Sequence, residues 1–208
     1  MTRGRFITLE GGEGVGKSTQ LQALSNLLQS HGYEVVATRE PGGSPGAEAI
    51  RKLLMEGSVD RWTDETEALL FAAARSDHVA RTIRPALDHG YWVLCDRFID
   101  SSVAYQGVAG GLGVDKIMQL HNIGSGGILP DRTILLSVPL YDAAWRELNR
   151  DNGVLDRFGK KDGQYHQALN SAFLQLAAAD PVRYRVVDGT GSVEEVTGRV
   201  LQSIADLL

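Results

Sequence analysis

Short apolar runs alternate with segments of helical periodicity along the whole chain. The runs have the length and composition of buried strands, and they cover 6–9, 35–38, 91–95, 133–138 and 184–187. Between them, apolar residues recur every three or four positions, which predicts helices over 19–30, 47–56, 64–88, 113–123, 140–150, 164–179 and 193–208. The pattern therefore predicts an α/β fold, a three-layer sandwich in which helices cover both faces of a five-stranded parallel sheet.

The length of the chain indicates how many domains it forms. Its 208 residues fit one domain, 1–208, with a sizeable core. Pro85 lies inside the helical pattern 64–88 and is expected to kink or redirect the last turn. The segments 40–46 and 150–163 are poor in apolar residues, and both can reach the carboxyl ends of the strands, where ligands bind in open α/β sheets.

The turn after the first predicted strand carries the phosphate-binding pattern G-x-x-x-x-G-K-[ST]. Its residues are Gly11, Gly12, Glu13, Gly14, Val15, Gly16, Lys17 and Ser18, and Thr19 follows them. In such a loop, backbone N–H groups wrap the phosphates, the lysine reaches the outer phosphates and the serine hydroxyl ligates Mg²⁺. A strand precedes the pattern and a helix follows it, which favours this motif over a glycine-rich surface turn.

Composition narrows the class of protein. A formal net charge of −5 gives no general attraction to nucleic acid, so an anionic ligand must be held by local basic residues. Cys95 is the single cysteine, which excludes an intrachain disulfide, and its apolar surroundings indicate a buried thiol. No apolar stretch reaches the ~20 residues that cross a bilayer. The expected compartment is the cytoplasm, with no membrane or nucleic-acid partner.

A phosphate-binding loop alone does not define the reaction, because GTPases, motors and transporter ATPases carry it too. The chain has no Asn-Lys-x-Asp string, which guanine-specific proteins usually carry. Asp96 and Arg97 end the third predicted strand, where a carboxylate suits a water-mediated Mg²⁺ contact and an arginine suits a phosphate clamp. Arg39 ends the second strand, before a Pro-Gly-Gly turn. These residues suit the second phosphate site of a small-molecule kinase; a local salt bridge and a solvated arginine are the alternatives.

Two further groups of residues have both a structural and a functional interpretation. Phe71 and Arg75 lie four positions apart on one helix face, where they could stack a base and bond its carbonyl. Spacing alone favours a core phenylalanine and a surface arginine instead.

The segment 150–163 holds Arg150, Arg157 and two lysines among aspartates. Such a segment is usually a solvated loop, but in a phosphoryl-transfer enzyme it forms a lid whose arginines close over the phosphates.

Several strings taken together resemble the bacterial thymidylate kinases, which are P-loop nucleoside monophosphate kinases. They are Phe6-Ile7-Thr8-Leu9-Glu10-Gly11, Thr38-Arg39-Glu40-Pro41-Gly42-Gly43, Phe71-Ala72-Ala73-Ala74-Arg75, Asp96-Arg97-Phe98, Ser101-Ser102, Tyr105-Gln106-Gly107, Pro130-Asp131 and Leu155-Asp156-Arg157. The resemblance spans nearly the whole chain. It implies that ATP, bound by 11–19 with Mg²⁺, donates its γ-phosphoryl group to dTMP, giving dTDP and ADP in dTTP synthesis. It also implies a homodimer.

The resemblance implies a role for each matching residue. Phe71 would stack on thymine, and Arg75 would bond one of its carbonyls. The other implied contacts are Gln106 and Ser102 with the base, Tyr105 with the sugar, Arg39 and Arg97 with the acceptor phosphate, Glu13 with the acceptor's sugar and phosphate, and Lys17, Ser18 and Asp96 with the ATP phosphates and Mg²⁺. An aromatic ring against the sugar would disfavour ribose, which carries a 2′-hydroxyl.

Gly14 refines what the resemblance implies about catalysis. Some members of the family carry an arginine at this position, one residue after the loop carboxylate. Without it, the positive charge that transfer requires should come from the lid, first from Arg157 and second from Arg150. The chain departs from many bacterial members after Arg157, so further lid contacts stay open. The alternatives to a dTMP kinase are a kinase for another nucleoside or deoxynucleoside monophosphate and a non-catalytic P-loop nucleotide-binding switch.

Overall fold

A computed structural model describes residues 3–150, 157–159, 161 and 163–208. In this part of the chain, five parallel strands form one sheet. They are β1 (Phe6–Glu10), β2 (Val35–Arg39), β3 (Trp92–Asp96), β4 (Arg132–Ser137) and β5 (Tyr184–Asp188). Their order is β2-β3-β1-β4-β5, which makes β1 the central strand. The predicted α/β fold with a parallel sheet is confirmed.

Helices connect the strands and cover both faces of the sheet. They are α1 (Lys17–Ser30), α2 (Pro45–Met55), α3 (Asp64–His78), α4 (Arg84–Asp88), α5 (Ile99–Ser102), α6 (Val114–Ser125), α7 (Leu140–Arg150), α8 (Gly163–Ala179) and α9 (Val193–Ser203). Two segments are π-helical, Val79–Ile83 and Val103–Ala109, and Ala205–Leu207 is a 3₁₀ turn. Over the described residues, no helix has the length and apolar character that a membrane span requires.

The alternation of side chains along β1 divides the core into two layers. Ile7 and Leu9 point to one face, where apolar residues of α1 and α9 cover them. Phe6 points to the other face and meets the ring of Phe98 edge-on, with 4.9 Å between the ring centroids. Glu10 shares this second face and is fully buried. A titratable group is therefore enclosed beneath the carboxyl edge of the sheet.

The helical pattern 64–88 is interrupted by the π-helical segment Val79–Ile83. The N–H of Arg84 donates to the carbonyl of Val79, five residues back, which is the wider turn of a π-helix. Pro85, which has no N–H to donate to the preceding turn, follows directly in the first turn of α4. The irregularity predicted for Pro85 therefore lies just before the proline.

Residues 99–109 have no predicted element, yet they form α5 and the π-helical segment Val103–Ala109. Every residue from 99 to 107 is buried, so no exposed polar face repeats with helical spacing. Gly107 and several small polar residues weaken the local helix propensity further. Packing between the sheet and neighbouring helices, rather than local pattern, gives this segment its structure.

The predicted lid, 150–163, falls largely outside the described residues. Arg150 ends α7, but its side chain is not described, and neither are residues 151–156, 160 and 162. Arg157 and Phe158 are described, and both are buried. They are not part of a solvated loop, because Phe158 contacts the ring of Phe71 and Arg157 bonds to carbonyl groups of residues 54–59.

Candidate active site

The phosphate-binding loop joins the carboxyl end of β1 to the first turn of α1. Gly14 and Gly16 have φ of 71° and 97°, left-handed values that favour glycine. Gly11 lies so close to β4 that a β-carbon would be 2.6 Å from the Leu136 carbonyl oxygen. Among the described residues, no side chain caps the start of α1. The glycine turns and the uncapped N–H groups form a cradle that suits phosphate oxygens.

Lys17 begins α1 with its side chain folded back over the loop. Its ammonium group donates to the Gly12 carbonyl oxygen over 2.6 Å, and the side chain is buried. Burial first, and then the charge of Arg97, lower the pKa of Lys17, while the carboxylates of Glu13 and Asp96 act in the opposite direction. Two cations that share a buried space favour an anionic ligand, as a phosphate site requires.

Ser18 and Asp96 meet beside the loop. The Ser18 hydroxyl donates to the Asp96 carboxylate over 2.6 Å. Both offer hard oxygen ligands, and a nucleotide-bound Mg²⁺ takes one or two such protein ligands besides water and phosphate oxygens. In the described ranges, no three His, Cys, Asp or Glu side chains cluster as a metal site. The pair therefore fits a cation shared with substrate phosphates rather than one enclosed by protein.

Arg97 is held in an unusual backbone conformation next to the loop. Its φ of 69° costs a residue other than glycine ~1 kcal/mol or more. Its guanidinium donates to the Gly11 carbonyl over 2.9 Å, to Ser101 Oγ over 3.1 Å and to the Glu13 carboxylate over 2.7 Å. The Tyr105 hydroxyl donates to the same Glu13 oxygen, and the Tyr105 ring faces the guanidinium at 5.1 Å. The fold thus fixes a cation beside the phosphate loop.

Arg75 is a buried residue and not the surface residue that helical spacing favours. Its Nε donates to Glu40 Oε2 over 2.7 Å. Its Nη2 donates to the Phe98 carbonyl over 3.1 Å and to Ser102 Oγ over 2.9 Å. These partners follow β2 and β3, far from α3 along the chain, and they compensate a buried charge that the α3 sequence alone would leave in solvent.

Glu40 and His78 form a second row of side chains behind Arg75. His78 Nδ1 lies 3.0 Å from Glu40 Oε1, and His78 Nε2 lies 2.8 Å from Thr38 Oγ1. Both Glu40 and His78 are buried, and neither is among the predicted site residues. The sequence holds one signal for His78, which follows Arg75 by three residues and so shares its helix face. Glu40 contacts Arg75 with one oxygen and His78 with the other.

Gly43→Ala is expected to lower the free energy of unfolding by ~1–3 kcal/mol. Gly43 has φ of 82°, and a β-carbon there would collide with the His78 ring and the Thr38 hydroxyl. Gly32→Ala is the matched control, because Gly32 has φ of 87° but no atom within 4 Å of the β-carbon position. Urea unfolding compares the two variants. Equal losses would show that the close approach to His78 contributes nothing.

Glu10 is a buried carboxyl beneath the loop. It accepts from the Phe98 N–H over 2.7 Å and from the Ser101 hydroxyl over 2.6 Å. Burial first, and then the charge of Asp100, raise the pKa of Glu10 from 4.5 to about 8. Native Glu10 therefore keeps a proton that the unfolded chain releases between these pH values. Since the native state binds more protons in this window, rising pH favours unfolding there.

Glu10→Gln should remove this pH dependence, because glutamine stays neutral. Relative to the wild type, its free energy of unfolding is expected to rise from pH 4.5 to about 8 and to change little above. Urea unfolding across this range measures the difference. Glu65→Gln, at an exposed position of α3, controls for the loss of a carboxyl. A difference between Glu10→Gln and wild type that does not vary with pH would contradict the raised pKa.

The structure places Arg157 away from the position that the lid prediction gives it. Its guanidinium donates to the carbonyl oxygens of Leu54, Ser58 and Val59 over 2.9, 2.8 and 3.0 Å, and to Glu67 Oε2 over 3.2 Å. All three of its nitrogens are used in these bonds, and none of them contacts the phosphate loop. The end of α2 and a carboxylate of α3 together satisfy the guanidinium, and the sequence does not reveal that they lie beside residue 157.

One cavity of about 720 Å³ joins the phosphate loop to the residues that the sequence predicts to bind the acceptor. Its lining includes most of the predicted site residues: Glu13, Gly14, Val15, Gly16, Lys17, Ser18, Thr19, Arg39, Phe71, Arg75, Asp96, Arg97, Ser102, Tyr105 and Gln106. Phe158 also lines the cavity, with its ring 5.9 Å from that of Phe71. Residues from distant parts of the chain therefore share one ligand-sized space.

Two arginines outside the buried rows also line the cavity, Arg39 and Arg146. Arg39 extends from the end of β2 and pairs with Glu48 over 3.4 Å, with 56% of its side chain exposed. Arg146 of α7 donates to the Gly189 carbonyl over 3.2 Å, just after β5. Arg146 is absent from the predicted site, because one arginine on an amphipathic helix gives no distinct signal. Both add positive charge to the cavity wall.

A phosphate loop and a second basic wall within one cavity, on a parallel α/β sheet, define a P-loop kinase of the nucleoside monophosphate type. Comparison with known proteins specifies the family. The family model described as thymidylate kinase matches residues 9–200. The chain belongs to the thymidylate kinase family. It is therefore a phosphotransferase, and its family uses ATP as phosphate donor.

Individual relatives agree with this assignment. A thymidylate kinase of Rhizorhabdus wittichii is 59% identical over 205 residues, which cover 99% of each chain. A thymidylate kinase of a Bradyrhizobium species is 46% identical over 207 residues, covering 99% of this chain and 92% of the relative. A crystal structure of thymidylate kinase from Ehrlichia chaffeensis matches with a TM-score of 0.77 at 29% identity, covering 96% of this chain and 98% of that one.

Proposed function

We propose that the protein transfers the γ-phosphoryl group of ATP to dTMP, giving dTDP and ADP as a step of dTTP synthesis. The observation that carries this proposal is the single cavity that the phosphate loop shares with Phe71, Arg75 and Gln106. An aromatic face, a guanidinium and an amide together suit a planar base that carries carbonyl and N–H groups. Membership of the thymidylate kinase family supports the same acceptor.

Fixed positive groups are proposed to carry the negative charge of the reaction. Transfer passes through a loose transition state whose charge spreads over the phosphoryl oxygens, so cations and N–H groups aimed at those oxygens lower the barrier. Lys17 reaches the donor phosphates, while Arg97 and Arg39 hold the acceptor phosphate. Glu13 keeps Arg97 in place through the 2.7 Å ion pair, so little reorganisation is needed when substrate binds.

Ser18 and Asp96 are proposed to hold Mg²⁺, Asp96 directly or through water. When bound, the ion neutralises phosphate charge and orients the donor phosphates. The short contact between the two side chains already places their oxygens together. The protein would supply only these oxygens as ligands, as is usual for Mg²⁺ bound together with a nucleotide.

The acceptor nucleoside is proposed to lie against the wall opposite the phosphate loop. Phe71 stacks on thymine, Arg75, Ser102 and Gln106 face its polar edge, and Tyr105 lies against the sugar. The Tyr105 ring is fixed by Glu13 and by the Arg97 guanidinium, so it cannot easily yield to a 2′-hydroxyl. Selection of deoxyribose therefore follows from a rigid ring.

The lid roles of Arg150 and Arg157 stay predictions. Arg157 reaches the phosphates only by leaving Glu67 and the carbonyl groups of residues 54–59, so a role in transfer requires movement of this segment during the catalytic cycle. Arg150, at the end of α7, is the second predicted source of the same charge.

A coupled ADP assay with dTMP, dUMP, dCMP, AMP and thymidine tests the acceptor. We expect dTMP to give the highest kcat/KM and thymidine to give no turnover, because it lacks the phosphate that Arg97 would hold. Comparable turnover of dCMP or AMP would assign another nucleoside monophosphate. ATP binding without acceptor-dependent consumption would indicate a nucleotide-binding switch. The Lys17→Met variant, purified in parallel, controls for a contaminating kinase.

A homodimer in the cytoplasm is proposed as the working state. Leu69 of α3 and Ile123 of α6 are 56% and 85% exposed, on two helices that pack against each other. Exposed apolar side chains of this kind suit an interface between two copies of the chain. Sedimentation of the wild type and of Ile123→Glu tests it, and a monomeric wild type would overturn it.

A further inference from the structure

The side-chain amide of Gln106 is held in one orientation by a carboxylate behind the cavity wall. Gln106 Nε2 donates to Glu67 Oε1 over 3.0 Å, and both side chains are buried. The other carboxylate oxygen, Glu67 Oε2, accepts from Arg157 over 3.2 Å. Glu67 therefore joins a residue of the cavity wall to an arginine outside it.

The Glu67 carboxylate determines which end of the Gln106 amide faces the cavity. A carboxylate paired with a guanidinium only accepts hydrogen bonds, so the NH₂ group of Gln106 must face Glu67. Its carbonyl oxygen is then directed away from Glu67. Gln106 lines the cavity, and within the described ranges no donor reaches this oxygen. The cavity wall presents a hydrogen-bond acceptor at this position.

Arg157 fixes the carboxylate in turn. Besides Glu67, its guanidinium holds three backbone carbonyl oxygens at the end of α2 and in the turn that follows. Glu67 cannot rotate without losing both Arg157 and Gln106. Its buried charge is compensated only in the observed geometry, which restrains the whole row of side chains.

Arg75 supplies a donor in the same cavity. Its Nε and Nη2 are occupied by other protein groups, whereas its Nη1 takes no part in the hydrogen bonds of the described chain. A donor on Arg75 and an acceptor on Gln106 complement a carbonyl oxygen next to a ring N–H. Thymine and uracil present this pair. Cytosine presents an amino group next to a bare ring nitrogen, which is the reverse pattern.

We propose that Glu67 is a specificity-determining positioning residue. By holding the Gln106 amide in one orientation while the acceptor binds, with Arg157 as its own anchor at that stage, before any movement of Arg157 toward the phosphates, it makes the site accept an imide base and reject cytosine. The proposal rests on the proposed function, since it assumes a pyrimidine nucleotide at the acceptor site. It adds that discrimination depends on a carboxylate that does not touch the base.

Glu67→Gln is the direct test, because a neutral amide at position 67 can face Gln106 with either of its ends. We expect the ratio of kcat/KM for dTMP to that for dCMP to fall by ~10-fold or more, as a hydrogen bond to a charged group is lost. The change should lie mainly in KM. Glu65→Gln, which removes a carboxylate from an exposed position of the same helix, should leave the ratio unchanged.

A merely structural role for Glu67 gives a different result. The values of kcat/KM for dTMP and for dCMP would then fall by the same factor. An unchanged ratio between them would overturn the proposal. In a Gln106→Leu background, Glu67→Gln should have no further effect on the ratio. A full effect in that background would show that Glu67 does not act through Gln106.

A measurement on the wild type keeps the proposal testable if Glu67→Gln does not fold. With ¹⁵N-labelled dTMP and ¹³C-labelled protein, a scalar coupling across the hydrogen bond should join thymine N3 to the Gln106 side-chain carbonyl carbon. An observed N3–H signal without that coupling would overturn the proposed orientation. Absence of wild-type turnover with dTMP would instead refute the proposed function, so the two failures are distinguishable.

Discussion

Lys17→Met is expected to lower kcat for phosphoryl transfer by ~10²–10³-fold or more, the largest effect of any single substitution considered. Lys17 starts α1 with its ammonium group over the phosphate loop, within 2.6 Å of the Gly12 carbonyl. In the proposed mechanism, this charge stabilises the phosphoryl oxygens over which the charge of the transition state spreads. Methionine keeps the length and the apolar stem of the side chain but removes that charge.

Stability should move little in Lys17→Met or even rise. Burial lowers the pKa of Lys17, so the folded protein stabilises the charged ammonium less than water does. Steady-state kinetics with saturating ATP and dTMP, and thermal unfolding of the same preparation, measure the two effects. A kcat within tenfold of the wild type would contradict the role proposed for Lys17. A large loss of Tm would also contradict it, because the loss of activity would then be explained by misfolding.

Arg97→Gly is expected to reduce kcat/KM for dTMP by ~10²–10³-fold through loss of a charge-assisted contact with the acceptor phosphate. Glycine is the informative replacement because Arg97 has φ of 69°, which glycine adopts without strain. Arg97→Ala removes the same side chain but keeps the strained backbone. The two variants should therefore lose activity alike, while Arg97→Ala is the less stable of the two.

Comparing Arg97→Gly with Arg97→Ala separates the effect of losing the guanidinium from the effect of the strained backbone at residue 97. Urea unfolding gives the difference in free energy of unfolding between Arg97→Gly and Arg97→Ala. Initial rates at varied dTMP concentration give kcat/KM for each variant. Arg97→Lys should recover part of the activity, because an ammonium supplies charge but not the planar fork that reaches Gly11, Ser101 and Glu13 together. Unchanged kcat/KM in Arg97→Gly would remove Arg97 from the acceptor site.

The predicted strands and most predicted helices agree with the structure to within about two residues, because apolar periodicity reports burial on a sheet or helix face. One predicted helix, 193–208, ends five residues early, at Ser203. The larger departure is the segment 99–109, which has no predicted element and supplies Ser102, Tyr105 and Gln106 to the cavity. A segment buried on all sides shows no periodicity. The element with the weakest sequence pattern therefore supplies much of the cavity wall on which the acceptor is proposed to bind.

Arg75 and Arg157 illustrate how far spacing can mislead. Helical position favours a surface Arg75, but partners after β2 and β3 bury it. The alternating charges of 150–163 suggest a solvated or lid position for Arg157, but carbonyl groups at the end of α2 and Glu67 enclose it. Both outcomes depend on partners that lie more than twenty residues away.

The phosphate-binding loop was determined by the sequence alone. Its expected ligand contacts come from consecutive backbone N–H groups and from side chains within one turn, so the glycines, Lys17 and Ser18 carry the whole arrangement in eight residues. The cavity wall of the proposed acceptor site was decided only by tertiary structure. Its donors and acceptors are oriented by buried pairs such as Glu40 with Arg75 and Glu67 with Gln106, and such pairs exist only once distant elements have packed together.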